Sequence, residues 1–287
     1  MIAPTHHPGT GSGTFRDKLA RVSTAHRSLL CIGLDPEPDH LPTSLRGLPP
    51  HGAVEAFCRE IVLATHDLVC AYKPNLAFFL ALGRGGLDAL YAVREAIPAD
   101  IPFVLDAKFG DIGNTAEAYA HFAFDEIGAD AVTVNPYLGG DAIAPFLARP
   151  DRAAFLLVKT SNPGSGDVQD VPTATGETVA MHVARHVGVW GAAHGNAGVV
   201  VGATYPAVLA AVRAVLPDVP ILVPGVGAQG GDLAAVVTAG RDARGGGLLI
   251  SASRSVLYAS HGADFATAAR TEAMRLREEI AAAGSKK

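Results

Sequence analysis

The sequence predicts an α/β protein, a single-domain closed (β/α)8 barrel, and three observations carry that expectation. Eight short apolar or β-branched runs recur along the chain, their starts roughly 23 to 44 residues apart, an interval that suits βα units. Longer amphipathic stretches fall between or after them. No break in composition divides the 287 residues into two parts. Eight such units within about 250 residues suggest a closed parallel sheet, the TIM barrel. An open doubly wound sheet is the runner-up, because alternation alone does not prove closure.

Taken in order, the expected strands are Leu29–Leu34, Val69–Lys73, Phe103–Lys108 and Ala131–Asn135, then Ala154–Thr160, Gly198–Gly202, Ile221–Gly225 and Gly247–Ser251. Helices are expected over Val54–Asp67, Asn114–Ile127, Glu177–Trp190, Pro206–Leu216 and Asp264–Ala283. Several carry apolar residues at i, i+3, i+4, although abundant alanine blurs the pattern. The longest loop, Ser161–Gly176, follows the fifth strand and is rich in Gly, Pro, Ser, Asp and Thr. It reads as a lid, with a disordered insertion as the alternative. Residues 1–14 read as a flexible tail rather than a signal peptide, residues 15–282 as the barrel, and residues 283–287 as a frayed end.

Composition bounds the function. With 49% apolar and 18% charged residues the chain has enough apolar matter for a large core. A net charge of −5 recommends neither nucleic acid nor an anionic membrane as partner. No apolar run approaches the roughly 20 residues that span a bilayer. Cys31, Cys58 and Cys70 are an odd number, scattered through apolar stretches, which suits reduced thiols and a cytoplasmic location. The eleven histidines form no H-E-x-x-H or Cys/His cluster, no nucleophile elbow is present, and Cys31 reads as packing. No metal site stands out, although Asp106 and Asp111 would serve as ligands if the intervening lysine lay elsewhere.

In a parallel barrel the catalytic groups collect where strands end. The first strand ends in Asp35, the second in Lys73, and the third in Asp106 and Lys108 with Asp111 just beyond. The fifth ends at Thr160-Ser161, and Arg254 follows the eighth. Alternate residues of a strand share a face, so Asp106 and Lys108 are expected to point the same way. A carboxylate beside an ammonium keeps the lysine protonated, the layout of a proton donor in a negative field. Each residue has a plainer reading: Asp35-Pro36 as a turn, Lys73 leaving for solvent, Ser161-Asn162-Pro163-Gly164 as a turn, the Asp106/Lys108/Asp111 group as a structural ion-pair network. With Gly225–Gly230 after the seventh strand, their joint placement at six of eight strand ends favours one converging pocket.

Gly225–Gly230 formally matches G-x-G-x-x-G, the dinucleotide fingerprint. It lies in the seventh unit, and no acid is positioned for a ribose. A phosphate cradle is the better reading, built from Gly-rich backbone amides and a helix N-terminus near Asp232. Gln229 and Arg254 would complete it around a phosphorylated small molecule.

The run Asp106-Ala-Lys108-Phe-Gly-Asp111-Ile112-Gly-Asn-Thr115 resembles the D-x-K-x-x-D-I-x-x-T signature of the orotidine 5′-monophosphate decarboxylase family. The resemblance extends through Gly33-Leu-Asp35-Pro, Tyr72-Lys73-Pro, Thr160-Ser161-Asn-Pro-Gly, Pro224-Gly-Val-Gly-Ala-Gln229-Gly-Gly and Ser253-Arg254-Ser255, nearly the whole chain in family order. It implies decarboxylation of orotidine monophosphate to uridine monophosphate, the last step of de novo pyrimidine nucleotide synthesis, with neither metal nor organic cofactor. By motif, Asp106 would face the substrate carboxylate and Lys108 would protonate C6. Asp35 and Lys73 would hold sugar hydroxyls, Ser161 the pyrimidine amide, Gln229 and Arg254 the phosphate. The resemblance also implies a homodimer with shared sites, in which Asp111, Ile112 and Thr115 serve the partner. The long N-terminal tail, the loop lengths and Ser253, where many members have glycine, suggest the longer bacterial branch. The nearest rival is a magnesium-dependent sugar-phosphate decarboxylase or synthase of the same superfamily, which shares D-x-K-x-x-D.

Overall fold

The computed structural model describes residues 13–226 and 232–284. All eight expected strands form, close to their expected bounds: β1 Leu30–Leu34, β2 Ala71–Pro74, β3 Val104–Phe109, β4 Ala131–Val134, β5 Ala153–Lys159, β6 Ala197–Val201, β7 Ile221–Pro224 and β8 Leu248–Ala252. They make one parallel sheet in the order β2-β1-β8-β7-β6-β5-β4-β3. The end strands of that order meet through parallel bridges, Tyr72 with Phe103 and Asn75 with Asp106, and Tyr72 N donates to Pro102 O at 2.9 Å. The sheet is therefore a barrel. A doubly wound sheet would reverse its strand order once, and this one never does.

The helices are α1 Phe15–Ala25, α2 Pro50–Thr65, α3 Leu76–Leu80, α4 Arg84–Ala96, α5 Gly113–His121, α6 Gly140–Leu147, α7 Gly166–Gln169, α8 Val179–Trp190, α9 Pro206–Val215, α10 Leu233–Gly240, α11 Arg254–Leu257 and α12 Phe265–Ala283. The expected helix Asn114–Ile127 is split: α5 hands over to a wider π-helical turn at Phe122–Glu126. The loop after β5 is partly structured, with a 3₁₀ turn at Pro163–Ser165, then α7, then a bridge from Pro172 to Thr178. No helix among the described residues is long and apolar enough to cross a membrane.

Strand residues are buried on both faces. One set, including Cys31, Ala71, Val104, Ala131, Ala153, Phe155, Val200, Leu222 and Leu249, fills the barrel interior. The other packs outward against the helices. Helix α1 closes the N-terminal mouth. Its Phe15 ring meets Phe155 edge to face at 5.6 Å, and Lys18 Nζ pairs with Asp130 at 2.8 Å. Thr14 and Asp17 start this helix with a capping box, each accepting a backbone N–H from the other. With one mouth plugged, the C-terminal mouth is the open end.

Candidate active site

Four charges line up at that mouth. Lys73 Nζ, at the end of β2, donates to Asp106 Oδ2 at 2.8 Å and lies 3.9 Å from Asp35 Oδ1. Lys108 Nζ donates to the other Asp106 oxygen, Oδ1, at 2.6 Å. The row Asp35–Lys73–Asp106–Lys108 alternates in sign across three adjacent strands. Lys73 and Asp106 are buried, whereas the Lys108 side chain is 47% exposed. Burial works against charge on Asp106, but the Lys73 and Lys108 ammoniums win and hold the carboxyl well below its ordinary range. Burial likewise opposes charge on Lys73, and Asp106 and Asp35 overrule it, so the ammonium is held charged well above neutrality. The shifts of Lys73 and Asp106 both favour the charged forms, so the central pair of the row is held ionised.

Strand alternation did not bring Asp106 and Lys108 together. Lys108 has φ +52°, in the left-handed region, and the β3–β4 register shifts between Leu105 and Phe109. This bulge turns the Lys108 ammonium back onto Asp106. Thr133 of β4 holds the bulge: its Oγ1 accepts from Lys108 N at 2.9 Å and donates to Asp106 Oδ1 at 2.9 Å. A left-handed non-glycine residue costs free energy and persists only where its surroundings enforce it. Sequence reasoning missed Thr133. Its signal was a lone hydroxyl within the apolar run Ala131–Val134, where burial demands a partner.

Asp111 does not join the row. Among the described residues it makes no ion pair, and its Oδ1 accepts from Ile112 N at 2.8 Å. The Asp106/Lys108/Asp111 ion-pair network of the plainer reading therefore does not form among the described residues; Lys73 and Lys108 flank Asp106, with Asp35 beyond Lys73. Ile112 and Thr115 are exposed at the start of α5. Ser161 is half-buried just past β5, and Arg254 is exposed at the start of α11. Gln229 and most of the expected Gly-rich cradle lie outside the described residues. The helix N-terminus beside that cradle is already occupied. Asp232 Oδ1 accepts from Ala234 N at 2.9 Å and Ala235 N at 3.1 Å, so those amides are satisfied by a carboxylate.

Asp35 Oδ1 is buried with no hydrogen-bond partner. Its loop is pinned by Tyr258, whose Oη accepts from Glu37 N at 2.8 Å. Gly33 leaves room beside it: a Cβ there would fall 1.9 Å from Ser253 Oγ and 3.2 Å from Asp35 Oδ2. The three cysteines are free and buried, and burial pushes the Cys31 thiol up to about 12. Among the described residues no cluster of His, Cys, Asp and Glu is arranged to hold a metal.

Fold and site together define a (β/α)8-barrel enzyme with an ion-paired two-lysine site on its C-terminal face. The model of the orotidine 5′-phosphate decarboxylase / HUMPS family matches residues 28–269. Curated relatives named orotidine 5′-phosphate decarboxylase include one from Thermomicrobium roseum, 50% identical over 93% of this chain and 95% of its own length. Another, from a Roseiflexus species, is 52% identical over 94% and 98%. Among solved structures, the OMP decarboxylase of Leishmania donovani superposes with a TM-score of 0.83 at 41% identity, covering 96% of this chain and all of that one. The chain belongs to the orotidine 5′-phosphate decarboxylase / HUMPS family.

Proposed function

We propose that this protein decarboxylates orotidine 5′-monophosphate to uridine 5′-monophosphate, the last step of de novo UMP synthesis, with Lys108 as the proton donor to C6. The observation that carries the reading is Lys108 Nζ at 2.6 Å from an Asp106 whose other oxygen is taken by Lys73. Relatives at about half identity bear that activity in their names.

Loss of carbon dioxide from C6 leaves an electron pair with no adjacent sink, so stabilisation must be electrostatic. The half-exposed Lys108 ammonium meets that pair more favourably than it meets the departing carboxylate, and the difference lowers the barrier. Asp106, kept ionised, repels the substrate carboxylate and positions the Lys108 ammonium, whose proton takes the place of the departing carbon dioxide on C6 and leaves a neutral amine. Asp35 Oδ1, buried and unbonded, is free to accept a sugar hydroxyl. Ser161 would take the pyrimidine amide, and Arg254 with Gln229 the phosphate.

The reaction needs no metal or organic cofactor in this reading. Lys73 stands between Asp35 and Asp106, so its ammonium already supplies the positive charge there. The active form is a homodimer with shared sites, Asp111, Ile112 and Thr115 reaching the partner's pocket. Ile112 at 57% exposure, with Tyr137 at 80% and Leu138 at 45% on the adjoining loop, gives that face an apolar surface to cover. Free thiols fit a reducing cytoplasm. The test is turnover of orotidine monophosphate by purified protein in excess EDTA. UMP formation at the untreated rate is expected. Loss that returns with magnesium would select the sugar-phosphate alternative.

A further inference from the structure

Lys159, the last residue of β5, is 1% exposed, deeper than Lys73 at 4%, and the chemistry above leaves it without a task. A buried ammonium is costly unless its surroundings compensate it, so its partners indicate its purpose. Its Nζ donates to Asp170 Oδ1 at 2.7 Å and sits 4.5 Å from the centroid of the Tyr205 ring, a cation–π contact. Tyr205 Oη in turn shares a hydrogen bond of 3.2 Å with Ser165 Oγ. One residue along, Thr160 N donates to Gln169 Oε1 at 2.9 Å, and Gln169 Nε2 donates back to Thr160 Oγ1 at 2.8 Å.

Lys159–Asp170 and Thr160–Gln169 are thus two successive rungs across the neck of one loop. Ser161 is the first residue beyond that neck. On its other side it rests against Gly202, whose N donates to Lys159 O at 2.7 Å. A Cβ on Gly202 would lie 3.0 Å from Ser161 Cβ and 3.1 Å from its N and Cα. The neck and this backbone seat fix Ser161 from two directions.

We propose that Lys159 is a positioning residue: by tying Asp170 and the Tyr205 ring across the neck, it holds Ser161 at the depth where its hydroxyl meets the base of the nucleotide. The inference rests on the nucleotide reading above and deepens it. Without the ammonium, Asp170 turns to water and the neck keeps one rung, so the loop must be ordered anew at each binding event. Among the described residues assigned to sugar and phosphate, Asp35, Lys73 and Arg254 lie at β1, at β2 and after β8 and share no hydrogen bond or ion pair with this neck. The effect is therefore selective for ligands that carry a base.

The test compares UMP with ribose 5-phosphate, titrated calorimetrically into the wild type, Lys159→Met and Asp170→Asn, with a melting curve for each. In both variants the UMP dissociation constant is expected to rise between about tenfold and a hundredfold, with that for ribose 5-phosphate within about threefold of wild type. The KM for orotidine monophosphate rises with it. Asp170 is 54% exposed at its side chain, so Asp170→Asn carries the test if Lys159→Met does not fold. Unchanged UMP binding in a folded variant, or equal loss for both ligands, would overturn the positioning role. A wild type that binds neither ligand and turns over no orotidine monophosphate would overturn the nucleotide reading itself.

Discussion

Replacing Lys73 with methionine removes one charge from the middle of a four-charge row while keeping most of the side-chain volume. Asp106 then retains two of its three donors, Lys108 at 2.6 Å and Thr133 at 2.9 Å. Asp35 loses its nearby cation, and its Oδ1 already lacks a hydrogen bond. Breaking a buried pair costs about 3–5 kcal/mol, and the retained donors put this case near 3 kcal/mol at pH 7. The pH dependence has a definite sign. In the wild type Asp106 is depressed, so its contribution is present above about pH 4 and fades as pH falls toward its folded value. Lys73 is raised, so its contribution holds below about pH 10 and is lost only at higher pH. In Lys73→Met the Asp106 carboxyl moves back up, and protonation relieves the variant while it weakens the wild type. The stability gap should therefore be flat between about pH 6 and 9 and narrow below about pH 4. Urea unfolding of both proteins at pH 7 and pH 3 measures it. A gap below about 1 kcal/mol at pH 7, or one that widens in acid, would refute the buried-pair account.

Gly33→Ala should lower activity sharply, because the new methyl meets Ser253 Oγ and crowds Asp35; adding Ser253→Gly should recover much of the loss in the same steady-state assay. The native protein should resist iodoacetamide at all three cysteines at pH 8, whereas denaturant should expose every thiol, as counted by mass spectrometry. Mixing inactive Asp106→Asn and Asp111→Asn subunits should restore up to about a quarter of the sites, since half of the random dimers carry one intact site. No recovery after verified subunit exchange would argue against shared sites.

The strands were legible because a closed barrel buries both strand faces, which leaves continuous apolar runs such as Leu30–Leu34 in the sequence. Closure was expected from the count of eight units but not proved by it, since it depends on Tyr72 and Asn75 meeting Phe103 and Asp106 across long separations. Asp35, Lys73, Asp106 and Lys108 stood out as charges at strand ends, and the structure brings these four together. Asp106 and Lys108 were expected side by side and are, although through a bulge rather than the period of two; the Lys73–Asp106 pairing was hidden because it joins strands distant in sequence. Helix α1 carried a readable Thr14–Asp17 capping box before an amphipathic stretch, but it was absorbed into the barrel without being assigned. Lys159 was overlooked because its partners Asp170 and Tyr205 are distant in sequence and ordinary in type.

The central claim is that the Lys108 ammonium, fixed by Asp106, delivers the proton to C6. Lys108→Ala tests it most directly, with UMP formation and UMP binding measured on the same folded sample. The account predicts a fall in turnover of at least about 10³-fold, the scale of a lost general acid and charge stabiliser, with binding still measurable. A Lys108→Ala protein that still makes UMP at a rate near wild type would contradict it.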